Sequence, residues 1–171
     1  MHDETLEQLA LLIDEFYAII SGPAGPRDWS RERAILHPQA RLMRTGADES
    51  GRPWIRVMSL DEYIADTAPF FAADDFHEIE VARRVDRFGN WAHVRSVYEA
   101  RVGPVVGGAA TRGVDQRRES QTSADVAERK PAAGFRGVNS IQLFHDGERW
   151  RVVSVLWDNE RAGVEVPSDW R

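Results

Sequence analysis

Cysteine is absent from the 171-residue sequence. Its absence excludes disulfides, cysteine-based zinc sites, iron–sulfur clusters and thiol nucleophiles, and it leaves the redox compartment open. Long apolar runs are absent as well. The longest, residues 9–20, is interrupted by Asp14 and Glu15, and neither a basic segment nor a small-residue cleavage site surrounds it. We therefore expect neither a membrane span nor a signal peptide, and we expect a cytoplasmic location.

Basic residues are the minority among the charged side chains. The sequence has 22 lysines and arginines against 28 aspartates and glutamates, a net charge of −6. Because binding to nucleic acid requires a clustered basic surface that neutralises phosphates, we expect no nucleic-acid partner. A composition of 42% hydrophobic and 29% charged residues is typical of a globular protein and predicts one domain over residues 1–171.

Motifs for metals and common cofactors are also missing. The five histidines, at positions 2, 37, 77, 93 and 145, contain no pair at the helical or strand spacing that a zinc or iron site uses. The sequence contains no nucleophile elbow, P-loop or dinucleotide fingerprint. We therefore expect neither a metal nor a cofactor.

The first half of the sequence predicts three helices and two short strands. Apolar residues recur at three- and four-residue intervals over residues 5–20, which is typical of an amphipathic helix. An aspartate cap predicts a short helix over residues 28–36, and a serine followed three residues later by glutamate opens a third helix over residues 59–71. Residues 40–45 and 53–58 are predicted to be strands.

The second half changes to a two-residue period. It predicts one hairpin over residues 76–102 and a second over residues 135–159, which turns at the Asp-Gly pair 146–147. Residues 103–134 are rich in glycine and polar residues and are predicted to be a flexible insertion. The expected fold class is α+β, with three N-terminal helices packed on a strongly curved, mainly antiparallel six-stranded sheet.

Four segments, together with this element order, carry a resemblance to a known family. The chain resembles the nuclear transport factor 2-like superfamily, in particular its polyketide-cyclase-like (SnoaL-like) and ketosteroid-isomerase-like branches. The resemblance implies a cone that encloses one apolar pocket for a small organic ligand, and a homodimer formed through the outer face of the sheet. The segments are Phe16–Ala18, Ala34–Leu42, Gly89–Ser96 and Asp146–Val152.

The resemblance also implies which residues face the pocket. Phe16, Arg44 and a position near Ile141 match the catalytic positions of the isomerase branch. Because arginine stays protonated, it cannot act as the base, which argues against steroid isomerase chemistry. The strand residues expected to face the pocket are Leu42, Arg44, Ile79, Val81, Ser96, Tyr98, Ala100, Asn139, Ile141, Leu143, Val153, Val155 and Trp157.

Eight of these and neighbouring residues are the candidate site. We expect Tyr98 to act as an acid, His37 or Asp66 to act as a base, and Asn139 to orient a substrate carbonyl. An inward-facing Arg44 would need a ligand carboxylate or Asp66 as its partner, and the alternative is a surface arginine. The residues expected to bind ligand are Phe16, Arg44, Ser96, Asn139 and Trp157.

Three functions remain open at this point. The first is a small-molecule-binding protein, and the second is a cofactor-independent lyase, isomerase or cyclase that acts on a small cyclic or polyketide-like substrate. The third is an interaction domain whose cavity is filled by Phe16 and Trp157. An enzyme is expected to place a titratable group within hydrogen-bond reach of the cavity centre. Two carboxylate pairs at a spacing of two, Glu78 with Glu80 and Asp158 with Glu160, are expected to be paired surface groups rather than a glycosidase-type acid pair.

Overall fold

The computed structural model describes residues 2–103 and 133–170. The predicted insertion at 103–134 therefore lies outside the described residues except at its ends. The described elements, in chain order, are α1 (His2–Ile20), α2 (Trp29–Ile35), β1 (Leu36–Ala47), β2 (Pro53–Met58), α3 (Leu60–Ala73), β3 (Phe76–Phe88), β4 (Trp91–Val102), β5 (Ala133–His145), β6 (Trp150–Asn159) and a short 3-10 helix (Ser168–Trp170).

The six strands form one mixed sheet in the order β2-β1-β6-β5-β4-β3. Strands β1 and β6 are parallel, and every other neighbouring pair in this sheet is antiparallel. The predicted α+β class, with three helices and a mainly antiparallel six-stranded sheet, is confirmed. None of the helices within the described residues is both long and apolar enough to span a membrane.

Side-chain caps fix where the second and third helices begin. Asp28 accepts the Ser30 N–H at 3.1 Å, and Ser59 and Glu62 form a reciprocal capping box. Helix α2 ends at Ile35 and β1 begins at the next residue. The helix predicted over residues 28–36 therefore ends one residue earlier, and His37 belongs to the strand.

The end of helix α1 is joined to strand β3 by hydrogen bonds. Gly22 and Phe76 exchange backbone hydrogen bonds of 2.7 and 3.0 Å. The Ser21 hydroxyl accepts the Glu78 N–H at 3.0 Å and donates to the Glu78 carbonyl at 3.2 Å. Residues of α1 such as Ile13 are fully buried in the core. This junction holds the first residues of β3 in a fixed position against the helix.

Two β-bulges change which residues of β3 and β6 face the core. In β3 the register shifts between Glu80 and Ala82, so the bulge falls at Val81. Ile79 and Val81 are 61% and 45% exposed, and their predicted inward placement is wrong. In β6 the register shift places Val152, rather than the predicted Val153, in the core.

Candidate functional site

A cavity of about 350 Å³ lies between the helices and the sheet. Eight aromatic side chains line it, and they come from α1, α3 and strands β3 to β6. A cavity with an apolar wall and a few convergent polar groups is typical of a small-molecule site. The polar or charged side chains among the described lining residues are Arg44, Tyr63, Thr67, Glu78, Tyr98, Asn139 and Asn159.

Glu78 is the carboxyl group of this wall. It follows Phe76, whose ring packs against Phe71 and Phe70 of α3, and the two-residue period of the strand therefore turns Glu78 to the same side. Burial raises the pKa of Glu78 to about 7, and a hydrogen bond from Asn139 opposes this rise. The Asn139 Nδ2 lies 3.3 Å from Glu78 Oε1, whereas Oε2 has no hydrogen-bond partner among the described residues.

A chain of hydrogen bonds orients the Asn139 amide. Asn139 Nδ2 donates to the Tyr17 hydroxyl at 3.0 Å, and Tyr17 and Ser96 are joined at 2.6 Å. Ser96 donates to Glu80, which also accepts from Arg83 at 2.7 Å. Because the single Ser96 proton goes to Glu80, the Tyr17 proton must go to Ser96, and Tyr17 is left to accept from Asn139. The direction of each bond in the chain is thereby set.

Tyr98 lies on the same wall and is 2% exposed. Its hydroxyl donates to Asn159 Oδ1 at 2.5 Å. Burial and the nearby Glu78 carboxyl raise the pKa of Tyr98 far above its ordinary value, so the phenol stays protonated. The ring covers Gly137, where an added Cβ would lie 2.3 Å from the Tyr98 hydroxyl oxygen, so this position admits only glycine while the ring lies there.

Arg44 also lines the cavity, on β1. Its side chain is also 37% exposed, so Arg44 lies at the cavity margin and has features of both predicted placements. Its Nη2 lies 3.4 Å from Asp66 Oδ2, and Arg56 holds Oδ1 of the same carboxylate at 2.5 Å. The guanidinium carbon of Arg44 lies 5.8 Å from the ring centre of Trp54. Arg44 thus has the expected carboxylate nearby but shares it with a second cation.

The structure brings most of the predicted site residues together. Phe16, Arg44, Tyr98, Asn139 and Trp157 line the cavity, and the predicted interaction domain with a filled cavity does not agree with this open volume.

The remaining three candidates lie outside the lining. Ser96 lies behind the wall and contacts it through Tyr17. Asp66 is held by the arginines at the cavity margin, and the Nδ1 of His37 accepts the Gln39 N–H at 3.1 Å. Neither His37 nor Asp66 is positioned to act on a molecule inside the cavity as the structure stands.

Sequence reasoning missed Glu78, the one carboxyl group among the described lining residues. The alternation of apolar residues around Ile79 and Val81 predicts that these residues face the core and that Glu78 faces solvent. The bulge at Val81 reverses the alternation within the strand, so this prediction fails. The usable signal was Phe76, because a large aromatic residue at the start of a strand faces the core and Glu78 shares its face.

Across residues 2–103 and 133–170, no group of three or more histidine, cysteine or acidic side chains could hold a metal ion. The groups of the candidate site among the described residues are one carboxyl, two phenols, two amides, one hydroxyl and one guanidinium on an aromatic wall.

Comparison with known proteins identifies the fold. No protein-family model matches the sequence, and no curated protein does either. Among solved structures, a candidate dehydratase of the NTF2-like family from Streptomyces avermitilis superposes with a TM-score of 0.62 at 14% identity, covering 94% of this chain and 99% of that one.

Two further solved structures have a similar fold. A candidate scytalone dehydratase from Novosphingobium aromaticivorans gives a TM-score of 0.59 at 11% identity and covers 98% and 94% of the two chains. A candidate ketosteroid isomerase from Shewanella frigidimarina gives 0.52 at 14% identity and covers 86% and 91%. The protein therefore has the nuclear transport factor 2-like fold, as the sequence predicted, and at these identities the likeness shows the fold alone.

Proposed function

We propose that this protein binds a small, mostly apolar cyclic molecule in its cavity and catalyses a cofactor-independent proton transfer of the lyase or isomerase type. The observation that carries the proposal is Glu78, a carboxyl group on the wall of an aromatic cavity with a pKa of about 7. A general acid–base is most effective when its pKa lies near the working pH, so Glu78 can both accept and return a proton there.

The contacts suggest a role for each polar group. Glu78 Oε2, which accepts no hydrogen bond from a described residue, would take a proton from a carbon next to a substrate carbonyl. The protonated Glu78 would then return the proton to another carbon in an isomerisation, or to a leaving hydroxyl, released as water, in a dehydration. Asn159 lies on the same wall and can donate from its Nδ2 to the carbonyl oxygen, while Tyr98, whose single proton goes to Asn159 Oδ1, orients that amide.

The predicted role of Asn139 changes in this scheme. Both protons of its amide nitrogen are directed at protein groups, one at Tyr17 and one at Glu78. Asn139 therefore holds the carboxyl group in place and lowers its pKa. We propose this positioning function in place of direct contact with a substrate carbonyl.

The solved structures of similar fold support this reaction type through their descriptions as candidate dehydratases and a candidate isomerase. A second candidate function is binding without turnover, which is favoured by the eight aromatic side chains of the wall. The predicted cone shape, the homodimer and the cytoplasmic location stay predictions.

Deuterium exchange tests the proposal without knowledge of the natural substrate. Incubation of 2-tetralone in D₂O with the protein, followed by NMR, measures proton abstraction next to a carbonyl. We expect Glu78→Gln to slow the protein-dependent exchange by about 10²-fold or more, the usual contribution of a general base. The matched control is Glu32→Gln, because Glu32 is buried but does not line the cavity.

The outcomes separate the two candidate functions. Exchange that depends on Glu78 and survives Glu32→Gln supports the acid–base function. Exchange equal in wild type and Glu78→Gln contradicts it. If 2-tetralone then still raises the melting temperature of the wild type, the protein binds the molecule without turning it over, and the second candidate function is supported.

A further inference from the structure

Arg44 has fewer partners than a cation on a partly buried wall requires. In the described part of the chain its guanidinium makes no hydrogen bond, and its Nε is buried without a partner. Its single carboxylate neighbour, Asp66, lies 3.4 Å away and is already held by Arg56 at 2.5 Å. Two guanidinium groups thus share one carboxylate, and the Arg44 side chain, which is 37% exposed, has no other ion pair among the described residues.

Removing a charged group from water is costly unless an opposite charge or hydrogen-bond acceptors compensate it. Arg56 neutralises Asp66, so the aspartate does not compensate Arg44 fully and does not strongly repel a second anion. A ligand carboxylate would supply the missing acceptors, since its two oxygens match the planar guanidinium.

The sheet register places Arg44 at a defined separation from the proposed acid–base. Arg44 pairs with Trp157, and Trp157 pairs with Asn139, so the three side chains form one row across β1, β6 and β5. Neighbouring strands lie about 4.8 Å apart, which puts the backbones of Arg44 and Asn139 about 10 Å apart. Asn139 contacts Glu78, and the Trp157 ring lies between the two ends of the row.

The aromatic residues beside Arg44 are held in place. Trp157 packs edge-on against Tyr63 with ring centres 6.1 Å apart. Trp54 covers Gly46, where an added Cβ would lie 2.6 Å from the indole, and its ring lies 5.8 Å from the Arg44 guanidinium. A flat ring about as long as this row would therefore have an aromatic surface beneath it and a cation at one end.

We propose that the molecule bound here is a cyclic or aromatic carboxylate, with its carboxylate on Arg44, its ring on Trp157 and its reacting carbon toward Glu78. The position of the reacting carbon rests on the proposed function. The recognition of the carboxylate rests on Arg44 and its neighbours.

The test compares two probes of the same shape, naphthalene-2-carboxylate and its neutral amide, naphthalene-2-carboxamide. Calorimetry measures the Kd of each for the wild type, Arg44→Gln, Arg44→Lys and Arg41→Gln. Arg41 is the matched control because it lies on the same strand, is exposed and does not line the cavity. We expect the wild type to prefer the acid about tenfold, the effect of one charge-assisted hydrogen-bonded pair.

The preference is expected to disappear in Arg44→Gln, to persist in part in Arg44→Lys and to remain complete in Arg41→Gln. Equal affinity for acid and amide in the wild type, or no binding of the acid, overturns the proposal without use of any variant. An acid preference that Arg44→Gln leaves intact overturns it as well.

Failure of this proposal can be distinguished from failure of the proposed function. If Glu78-dependent exchange occurs on neutral 2-tetralone but the wild type does not prefer the acid, the acid–base function is supported and the proposed binding of a carboxylate is contradicted. If the wild type prefers the acid through Arg44 but no exchange is observed, the proposed binding of a carboxylate is supported and the acid–base function is contradicted.

Discussion

Two glutamates of this protein, Glu32 buried and Glu78 partly buried, have the same raised pKa, yet they lie in very different surroundings. Glu32 of α2 and Glu78 of β3 each have a pKa of about 7, and in both cases the largest cause is burial. Glu32 is 1% exposed, and neither of its carboxyl oxygens has a hydrogen-bond partner among residues 2–103 and 133–170. Glu78 accepts a hydrogen bond from Asn139 and faces the cavity.

The comparison shows that a raised pKa marks burial and does not by itself mark a site. What separates the two groups is access for another molecule and a neighbour that fixes the orientation of the carboxyl. Glu78 has both, whereas Glu32 has no described hydrogen-bond partner and does not line the cavity. We therefore expect Glu32 to affect stability alone and Glu78 to affect chemistry.

The largest expected effect is on stability at Glu32. Its pKa of about 7 exceeds the ordinary value of 4.5, so between these pH values the folded state binds more protons than the unfolded state. The free energy of unfolding therefore falls as pH rises through this window, by roughly 3 kcal/mol when the whole shift is counted. In urea unfolding, Glu32→Gln should be more stable than the wild type at pH 8 and nearly equal to it at pH 4.5.

A stability advantage of Glu32→Gln that is independent of pH would contradict this assignment, because it would show that titration of the carboxyl is not the cause. The comparison with Glu78→Gln sharpens the result. Glu78 has the same raised pKa of about 7, so Glu78→Gln should show a pH-dependent gain of similar size, whereas only Glu78→Gln should also slow the deuterium exchange.

The second effect is on the pH dependence of deuterium exchange. If Glu78 acts as the base, the rate should follow its ionised fraction, rising with pH to a plateau above a midpoint near 7. Between pH 5 and pH 6 the rate should change about tenfold per pH unit. The same profile is expected in Glu32→Gln. A flat profile in the wild type would exclude Glu78 as the titrating base.

Most of the fold could be predicted because its signals are local. The apolar stripe of α1, the Ser59–Glu62 capping box and the Asp-Gly turn between β5 and β6 each depend on residues a few positions apart. Which residues of β3 face the core could not be predicted from the alternation of apolar and polar residues. A single bulged residue at Val81 reverses the alternation, and it depends on pairing with β4 rather than on the local sequence.

The site was predicted in part for the same reason. Tyr98 and Asn139 lie on strands whose alternation is uninterrupted, Trp157 lies beyond the bulge of β6 where the alternation has resumed, and all three line the cavity. Glu78 can face the cavity because Asn139, 61 positions later in the chain, donates a hydrogen bond to its carboxyl group. No local pattern reports such a partner, so an acidic residue in this alternation was interpreted as exposed.

The third effect concerns Asn139. Its hydrogen bond favours the ionised form of Glu78, so Asn139→Leu should raise the pKa of that carboxyl further. Because a hydrogen bond to a charged group is worth about 1.5 kcal/mol, the midpoint of the exchange profile should move up by about one pH unit. The pH dependence of the Glu32 contribution to stability should not change. An unchanged exchange midpoint would show that Asn139 does not tune Glu78.

The smallest effect is expected from Tyr17, which contacts Asn139 but makes no hydrogen bond with Glu78. In Tyr17→Phe the Asn139 amide loses one acceptor, its orientation is less restricted and its bond to Glu78 weakens. The exchange midpoint should then rise by only a few tenths of a pH unit, since a neutral hydrogen bond acting at one remove contributes less than a direct one. The orientation of Asn139 affects the exchange through the pKa of Glu78, so it should shift the midpoint of the profile. A slower rate with an unchanged midpoint would therefore indicate a packing defect.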